Sequence, residues 1–421
     1  MLRFVSKRLV PLVALVVTGF ALACNGGEEP SRTTTPGPSP SGTPTATSTA
    51  ATATATAQAE YPPKVTLTEP GAYLIRSDGS GLRRLASGEG RFRSVWSPDG
   101  SRIAVVGIVG GAHRVSVIDV DGGFEVTVFD GSGRGPELWV GNPLWSPDGR
   151  QLAVPAGPYQ ESEGWQVYLV NADGSGEPDE LFEGFARGWS PDGSALAFTQ
   201  YSENGVTLET FDPATGTATV IERGAALNYF AWSPDSQRMA YTIQPRLPTF
   251  EELVVIDRVG WNRRVIAERG GDPRWSPDSK YLAFADRDGW VTVASLNTSA
   301  DPVRLSPGGV AGWSQEGDAI LIWHMWSLRQ ASLATHEAVD IVELAGHVPA
   351  GTGWMSLSPD REQVVLTVSD SQKQASEALF VMNIDGTGLQ KLVQFSTGIV
   401  GVDWSPDGRY IAFVDGRTGI S

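Results

Sequence analysis

The side chains able to do chemistry in this chain are few and widely spaced. Its 421 residues hold four histidines, His113, His324, His336 and His347, and one cysteine, Cys24. No His-x-x-x-His pair and no histidine–cysteine pairing occurs, so no zinc ligand set stands at a recognisable spacing. His324 and His336 fall in one repeat unit and could approach each other, although a satisfied or exposed role is the simpler reading of each. A nucleophilic serine would need Gly-x-Ser-x-Gly on a strand-to-helix turn. The nearest match, Gly188-Trp189-Ser190-Pro191-Asp192, lacks the final glycine. Carboxylate pairs such as Glu161/Glu163, Asp179/Glu180 and Glu251/Glu252 suit general acid–base work of the glycosidase kind, but they stand in or next to loops, where solvated charge accounts for them. With 48 acidic residues, a hydrolase or lyase centre stays open as an alternative. No metal or cofactor is expected, and the glycines are explained by turns rather than by a phosphate-binding loop.

What positions these groups is legible in a repeated pentapeptide. Trp-Ser-Pro-Asp-Gly stands intact at residues 96–100, 145–149, 189–193 and 404–408, and ends in Ser at 232–236 and 275–279. Two copies are eroded, Trp313-Ser314-Gln315-Glu316-Gly317 and Leu357-Ser358-Pro359-Asp360-Arg361. A period in the low forties with several short strands per unit is the signature of a β-propeller. Ser-Pro-Asp-Gly suits a type I turn, with Pro fixing φ at the second position and Gly in the left-handed position that follows. The strands after it are short and rich in β-formers, as at 102–106, 195–198, 281–284 and 410–413. A third strand then runs into a second turn at Asp121-Gly122, Asp173-Gly174 or Asp385-Gly386, a strong hairpin signal. The Asp-x-Asp-Gly at 119–122 lacks the remaining ligands of a calcium loop and reads as such a turn. Each motif tryptophan, Trp96, Trp145, Trp189, Trp232, Trp275, Trp313 and Trp404, is expected in the core between blades.

The phase of the repeat predicts how the ring closes. Residues 72–85 read as a third and fourth strand without a first and second, and only one strand follows the last motif. Pairing the two half-units leaves no open edge. The expectation is an all-β propeller of four-stranded antiparallel blades closed by strands from both termini, with eight blades, or seven if the Leu357 unit is irregular.

The start of the chain has a different character. Arg3, Lys7 and Arg8 precede an apolar run at residues 9–23, too short for a comfortable membrane span. It ends at Ala21-Leu22-Ala23-Cys24. Residues 1–23 are thus expected to be a signal peptide, with Cys24 lipidated, or an ordinary signal with an incidental cysteine. A lone cysteine forms no intrachain disulfide. Residues 24–62, rich in Thr, Ala, Pro and Ser, cannot bury a core and read as a solvated tether reaching on the order of 100 Å if extended. Residues 63–421 form the propeller. Removing residues 1–23 takes the formal charge from −16 to −19. That balance argues against nucleic acid and against docking on an anionic lipid surface.

The repeats resemble the TolB-type, WD-like propeller repeat, a motif also found in the propeller domains of prolyl-oligopeptidase-type peptidases; the likeness covers residues from about 71 to 421. The resemblance implies a propeller that binds partners, as TolB docks with envelope lipoproteins. The α/β domain that precedes the TolB propeller is replaced here by the Thr/Ala segment, and more than TolB's six blades are expected. The α/β-hydrolase domain of the peptidases has no counterpart.

In such a ring the Ser-Pro-Asp-Gly and Asp-Gly turns share one face, and the longer connections share the other: 130–142, 155–164, 244–252, 345–353 and 369–378. Binding residues concentrate on variable loops carried by a rigid scaffold. The candidates there are Arg134, Trp139, Tyr159, Arg246, Phe250 and Trp354, of types enriched in interface hot spots. Trp139 and Trp354 lie near starts of innermost strands, where packing between blades is the stronger account. The expected whole is a monomeric, envelope-anchored binding module for a protein or glycan, with a channel hydrolase or lyase as the alternative and a partner-dependent sensor as a third reading.

Overall fold

The computed structural model describes residues 66–67, 71–87, 93–134, 138–158, 164–246, 250–324, 327–343, 355–369, 377–395 and 399–415. Residues 1–65, with Cys24 and the expected tether, lie outside them, as do Tyr159, Glu161, Glu163, His347 and Trp354.

The pentapeptide builds the same staple in almost every unit. The Gly100 amide donates to the Ser97 carbonyl at 2.9 Å and closes the turn. The Ser97 hydroxyl donates to the Asp99 carboxylate at 2.6 Å and accepts the Arg102 amide at 2.9 Å. Turn and following strand are thereby locked in one register. Ser146/Asp148, Ser190/Asp192, Ser233/Asp235, Ser276/Asp278, Ser358/Asp360 and Ser405/Asp407 repeat it. In the eroded Trp313 copy Asp318 supplies the carboxylate instead, 2.8 Å from Ser314 Oγ.

The last position of the motif needs a positive φ, about 70° at Gly100 and Gly408. Where Gly is replaced, Ser236, Ser279 and Arg361 still adopt φ near 60°, a conformation that side chains disfavour. Each offsets that cost with a bond to the preceding blade. Ser236 Oγ accepts the Asp192 amide at 3.0 Å and Ser279 Oγ the Asp235 amide at 3.1 Å. Arg361 donates to the Trp313 and Ser314 carbonyls at 3.0 and 2.6 Å.

Desolvation pushes the Asp192 carboxyl upward, but bonds from Ser190 and Ser194 and the Arg258 charge outweigh it and bring the pKa to about 2. A carboxyl held below its unfolded value contributes stability that is complete above about pH 4 and vanishes as pH falls through the folded value. Ser190→Ala is therefore expected to raise the Asp192 pKa toward 3.8 and to lessen the loss of stability between about pH 4 and 2. An Asp192 titration followed by NMR, with melts across that range, checks both.

Eight antiparallel sheets form the ring. Blade 1 runs Arg93–Trp96, Arg102–Val109, Ala112–Asp119, Glu125–Asp130, and blades 3 to 6 repeat that order. In blade 2 the innermost strand is split into Leu138–Val140 and Leu144–Trp145, both paired with Gln151–Pro158; Pro143 between them has no amide to give the ladder. The Leu357 unit is a regular blade 7, Met355–Leu357, Gln363–Ser369, Glu377–Asn383 and Gln390–Phe395. Blade 8 joins Ile399–Trp404 and Tyr410–Asp415 to Gly71–Arg76 and Arg83–Ser87 from the other end of the chain. Gly71 faces Asp415 and Arg76 faces Tyr410 along that seam, so the ring closes as its phase predicts. A fifth strand was not foreseen: Thr66–Leu67 adds in parallel to the outer edge of blade 7, opposite Gln394 and Phe395.

Three of the expected loops are shorter than supposed, because ladders continue into them: to Pro158 in blade 2, to Ser369 and from Glu377 in blade 7, and through Leu138–Val140. The first strand of each blade is the innermost and touches its counterparts in neighbouring blades. It starts at the long-connection face and ends in the motif tryptophan at the turn face. Trp96, Trp145, Trp275, Trp313 and Trp404 are buried, and Trp189 and Trp232 are half-buried. In all of these but Trp96 the indole N–H reaches the carbonyl of the residue before the previous motif position: Trp145 to Val95, Trp189 to Leu144, Trp232 to Gly188, Trp275 to Ala231, Trp313 to Arg274 and Trp404 to Ser356, at 3.0–3.2 Å. At the interface between blades 6 and 7 Leu357 takes the place of Trp, and it lies where a side chain on Gly312 would collide with it.

Candidate functional site

At the long-connection face, several innermost strands leave their ladder. Register shifts fall between Ala186 and Gly188, Leu227 and Phe230, and Gly271 and Arg274. Such bulges re-aim side chains, and here they release Arg187, Asn228, Tyr229 and Asp272.

Two of these bulges, in blades 4 and 5, assemble one patch. Tyr229 is 47% exposed and Phe250 is 57% exposed. The Arg269 guanidinium lies 3.3 Å from the Phe250 ring centroid, a stacked cation–π arrangement. The Arg269 amide donates to the Glu251 carbonyl at 2.7 Å, while Asn228 donates to the Glu251 carboxylate. Asp272 pairs with Arg274 at 3.1 Å. Burial pushes the Tyr229 hydroxyl upward, and the Asp272 and Glu251 charges push it further, so it remains a hydrogen-bond donor at neutral pH. Arg269 and Asp272 both stand at positive φ, 56° and 48°. Non-glycine residues hold that conformation where the surroundings over-determine it, commonly at binding sites.

Of the residues the sequence singles out, Phe250 belongs to this patch and exposed Arg246 stands on the same connection. Arg134 and Trp139 are elsewhere, at blades 1 and 2. The exposed Arg134 lies 4.9 Å from the Tyr168 ring and 5.3 Å from Phe129. Trp139 is half-buried, its ring 4.7 Å from that of His113 across the blade interface. Tyr229 and Arg269 were missed. The available signal was an aromatic beside Asn where an innermost strand should have alternated.

A second feature lies on the innermost strands of blades 7 and 8. Asp403 accepts the Ser356 hydroxyl and the Trp404 amide, each at 3.0 Å. Water reaches its surface, yet protein surrounds it, and desolvation raises its carboxyl pKa against the opposing pull of those two bonds. A carboxyl held above its unfolded value gives stability that is present at low pH and lost as pH rises through the folded value. Asp403→Asn is expected to remove that loss, so that its melting temperature gains on the wild type as pH rises from about 4 to 7. Parallel melts across that range would sink the assignment.

His324 ends the second strand of blade 6 at the long-connection face, whereas His336 sits in the turn beyond Ser327–Ser332 at the other face. They do not approach. Among the described residues no three His, Cys, Asp or Glu side chains stand where they could hold a metal ion.

No protein-family model matches the chain. It is 24% identical over 190 residues, 42% of its length and 63% of the other's, to an uncharacterized protein of Agrobacterium fabrum. It is 26% identical over 203 residues, 45% of its length and 28% of the other's, to the uncharacterized peptidase YuxL of Bacillus subtilis. The chain thus spans less than two thirds of either relative. Among solved structures, a prolyl endopeptidase aligns with a TM-score of 0.52 at 14% identity, over 71% of this chain and 49% of that one. TolB from Acinetobacter baumannii aligns with a TM-score of 0.37 at 16% identity, over 74% of this chain and 78% of that one. The likeness to the endopeptidase is one of fold alone.

Proposed function

We propose that this chain is a non-catalytic, monomeric binding module of the bacterial envelope that recognises a protein or glycan partner through its long-connection face. In this reading residues 1–23 direct export, Cys24 carries the lipid anchor, and residues 24–62 tether the ring. The Phe250–Arg269–Tyr229 patch supports it. Exposed aromatics held by a stacked arginine on a rigid ring are the residue types that dominate interface energetics, and among the described residues nothing covers them.

The test is cross-linking capture from intact envelopes, read by mass spectrometry, with wild type beside Phe250→Ala and Arg269→Ala. Each substitution is expected to cost about 2 kcal/mol of binding, roughly thirtyfold in captured partner at sub-saturating protein. Undiminished capture by the double variant would exclude the patch. A hydrolase or lyase centre in the channel is the second reading, favoured by the raised carboxyl of Asp403, as general acids require. Turnover of an envelope polymer that Asp403→Asn abolishes would establish it.

A further inference from the structure

Between blades 2 and 3 the ring opens into a cleft of about 660 Å³, within the usual size of small-molecule sites. Its origin is a mismatch of outer strands. Blade 2 ends in Asp179–Glu183 and blade 3 in the longer Thr217–Gly224. Phe182 of blade 2 caps Phe198 and Phe211, with ring centroids 3.8 and 5.4 Å away, and beyond it the sheet of blade 3 is uncovered.

The register shows what faces the gap. Gln200, Thr207 and Arg223 lie opposite one another across three strands, and Phe198, Glu209 and Val220 form the adjacent row. Directly opposed residues share a face, and Phe198 fixes it as the face toward blade 2. Glu183 forms the far wall and Glu203 stands at the rim.

Glu209 is only 8% exposed. One of its carboxylate oxygens accepts the Thr207 hydroxyl at 2.6 Å, and its other oxygen has no partner among the described residues. That second oxygen belongs to a side chain lining the cleft, where a carboxylate can accept a ligand's donors. The Arg223 guanidinium, the Gln200 amide and the Glu203 carboxylate also have no side-chain partner among the described residues. The cleft therefore offers unengaged donors and acceptors with a small apolar spot at Val220, and no deep apolar pocket to anchor a peptide side chain. Three carboxylates against one guanidinium repel anions.

We propose that this cleft binds a saccharide, neutral or amino-substituted, with Glu209 taking the sugar's amine or hydroxyl protons, Arg223 and Gln200 spanning neighbouring hydroxyls, and Val220 meeting a ring face. The site is separate from the Phe250 patch, and its occupancy does not depend on what docks there.

Titration calorimetry tests it with three probes: β-1,4-linked tetrasaccharides of glucosamine, of N-acetylglucosamine and of galacturonate. The expected result is binding of one or both of the first two and none of the third. Glu209→Gln and Arg223→Ala are each expected to weaken that binding tenfold or more, while Phe250→Ala leaves it unchanged. Arg223 is exposed, so its variant keeps the fold even if Glu209→Gln does not, and melts confirm this. Absence of binding to all three probes, galacturonate as the preferred ligand, or unaltered affinity in Arg223→Ala would each overturn the proposal.

Discussion

Trp404→Ala is expected to destabilise the ring by about 3–5 kcal/mol, the range for a buried large aromatic. Trp404 is 4% exposed, and it packs in the cluster that joins Tyr73, Leu379, Phe395 and Phe413 across blades 7 and 8. Its truncation leaves a cavity between blades 7 and 8. The hydrogen bond can be separated from the packing. Trp404→Phe keeps most of the aromatic surface but strands the Ser356 carbonyl, at a cost of about 1–3 kcal/mol if no water replaces the indole. Trp96 is an internal control. By the pattern of the other interfaces its acceptor would be the Asp403 carbonyl, yet its indole N–H is buried without a partner. Trp96→Phe should then cost less than Trp404→Phe. Urea unfolding of the three variants decides this, and equal losses for the two phenylalanine variants would show that packing alone holds the interfaces.

Deleting residues 66–87 should have a larger effect still. The deletion removes two of the four strands of blade 8, including Ala72, Tyr73, Leu74 and Ile75, all buried. It also exposes the ladder edge of Tyr410–Asp415, an unpaired edge that invites association. Domains are typically stable by only ~5–15 kcal/mol, and each large apolar side chain lost from a core costs about 2–5 kcal/mol. The shortened chain is expected to show no cooperative melt and to scatter light on warming. A cooperative transition within a few degrees of the full chain would mean that the ring tolerates an open seam.

The architecture was legible because its determinants are local. Ser, Pro, Asp and a left-handed residue specify a turn by themselves, and the half-units at 72–85 and after residue 404 announce their need for each other by phase. Even the Leu357 unit, without its tryptophan, keeps the turn and folds as a full blade. The site was less legible. Phe250 could be picked out as an aromatic on a connection, but its stacking partner Arg269 lies on the crossing to the next blade and is joined to it only by the fold. The bulges that expose Tyr229 and Asp272 interrupt the ladder at Leu227/Phe230 and Gly271/Arg274, and alternation of residue types does not record such a break. The Thr66–Leu67 strand is too short to carry any periodicity.

That short strand determines how load enters the molecule. Any pull from the amino-terminal side meets the ring first at Thr66 and Leu67, on the outer edge of blade 7, where two residue pairs and one buried leucine hold it. This is a far weaker grip than the six-pair seam between Gly71–Arg76 and Tyr410–Asp415. Under tension the small strand would peel away first, and force would reach the stronger seam of blade 8 only after those two pairs had parted. A ring pulled from that side would be held first at its perimeter, by a breakaway link.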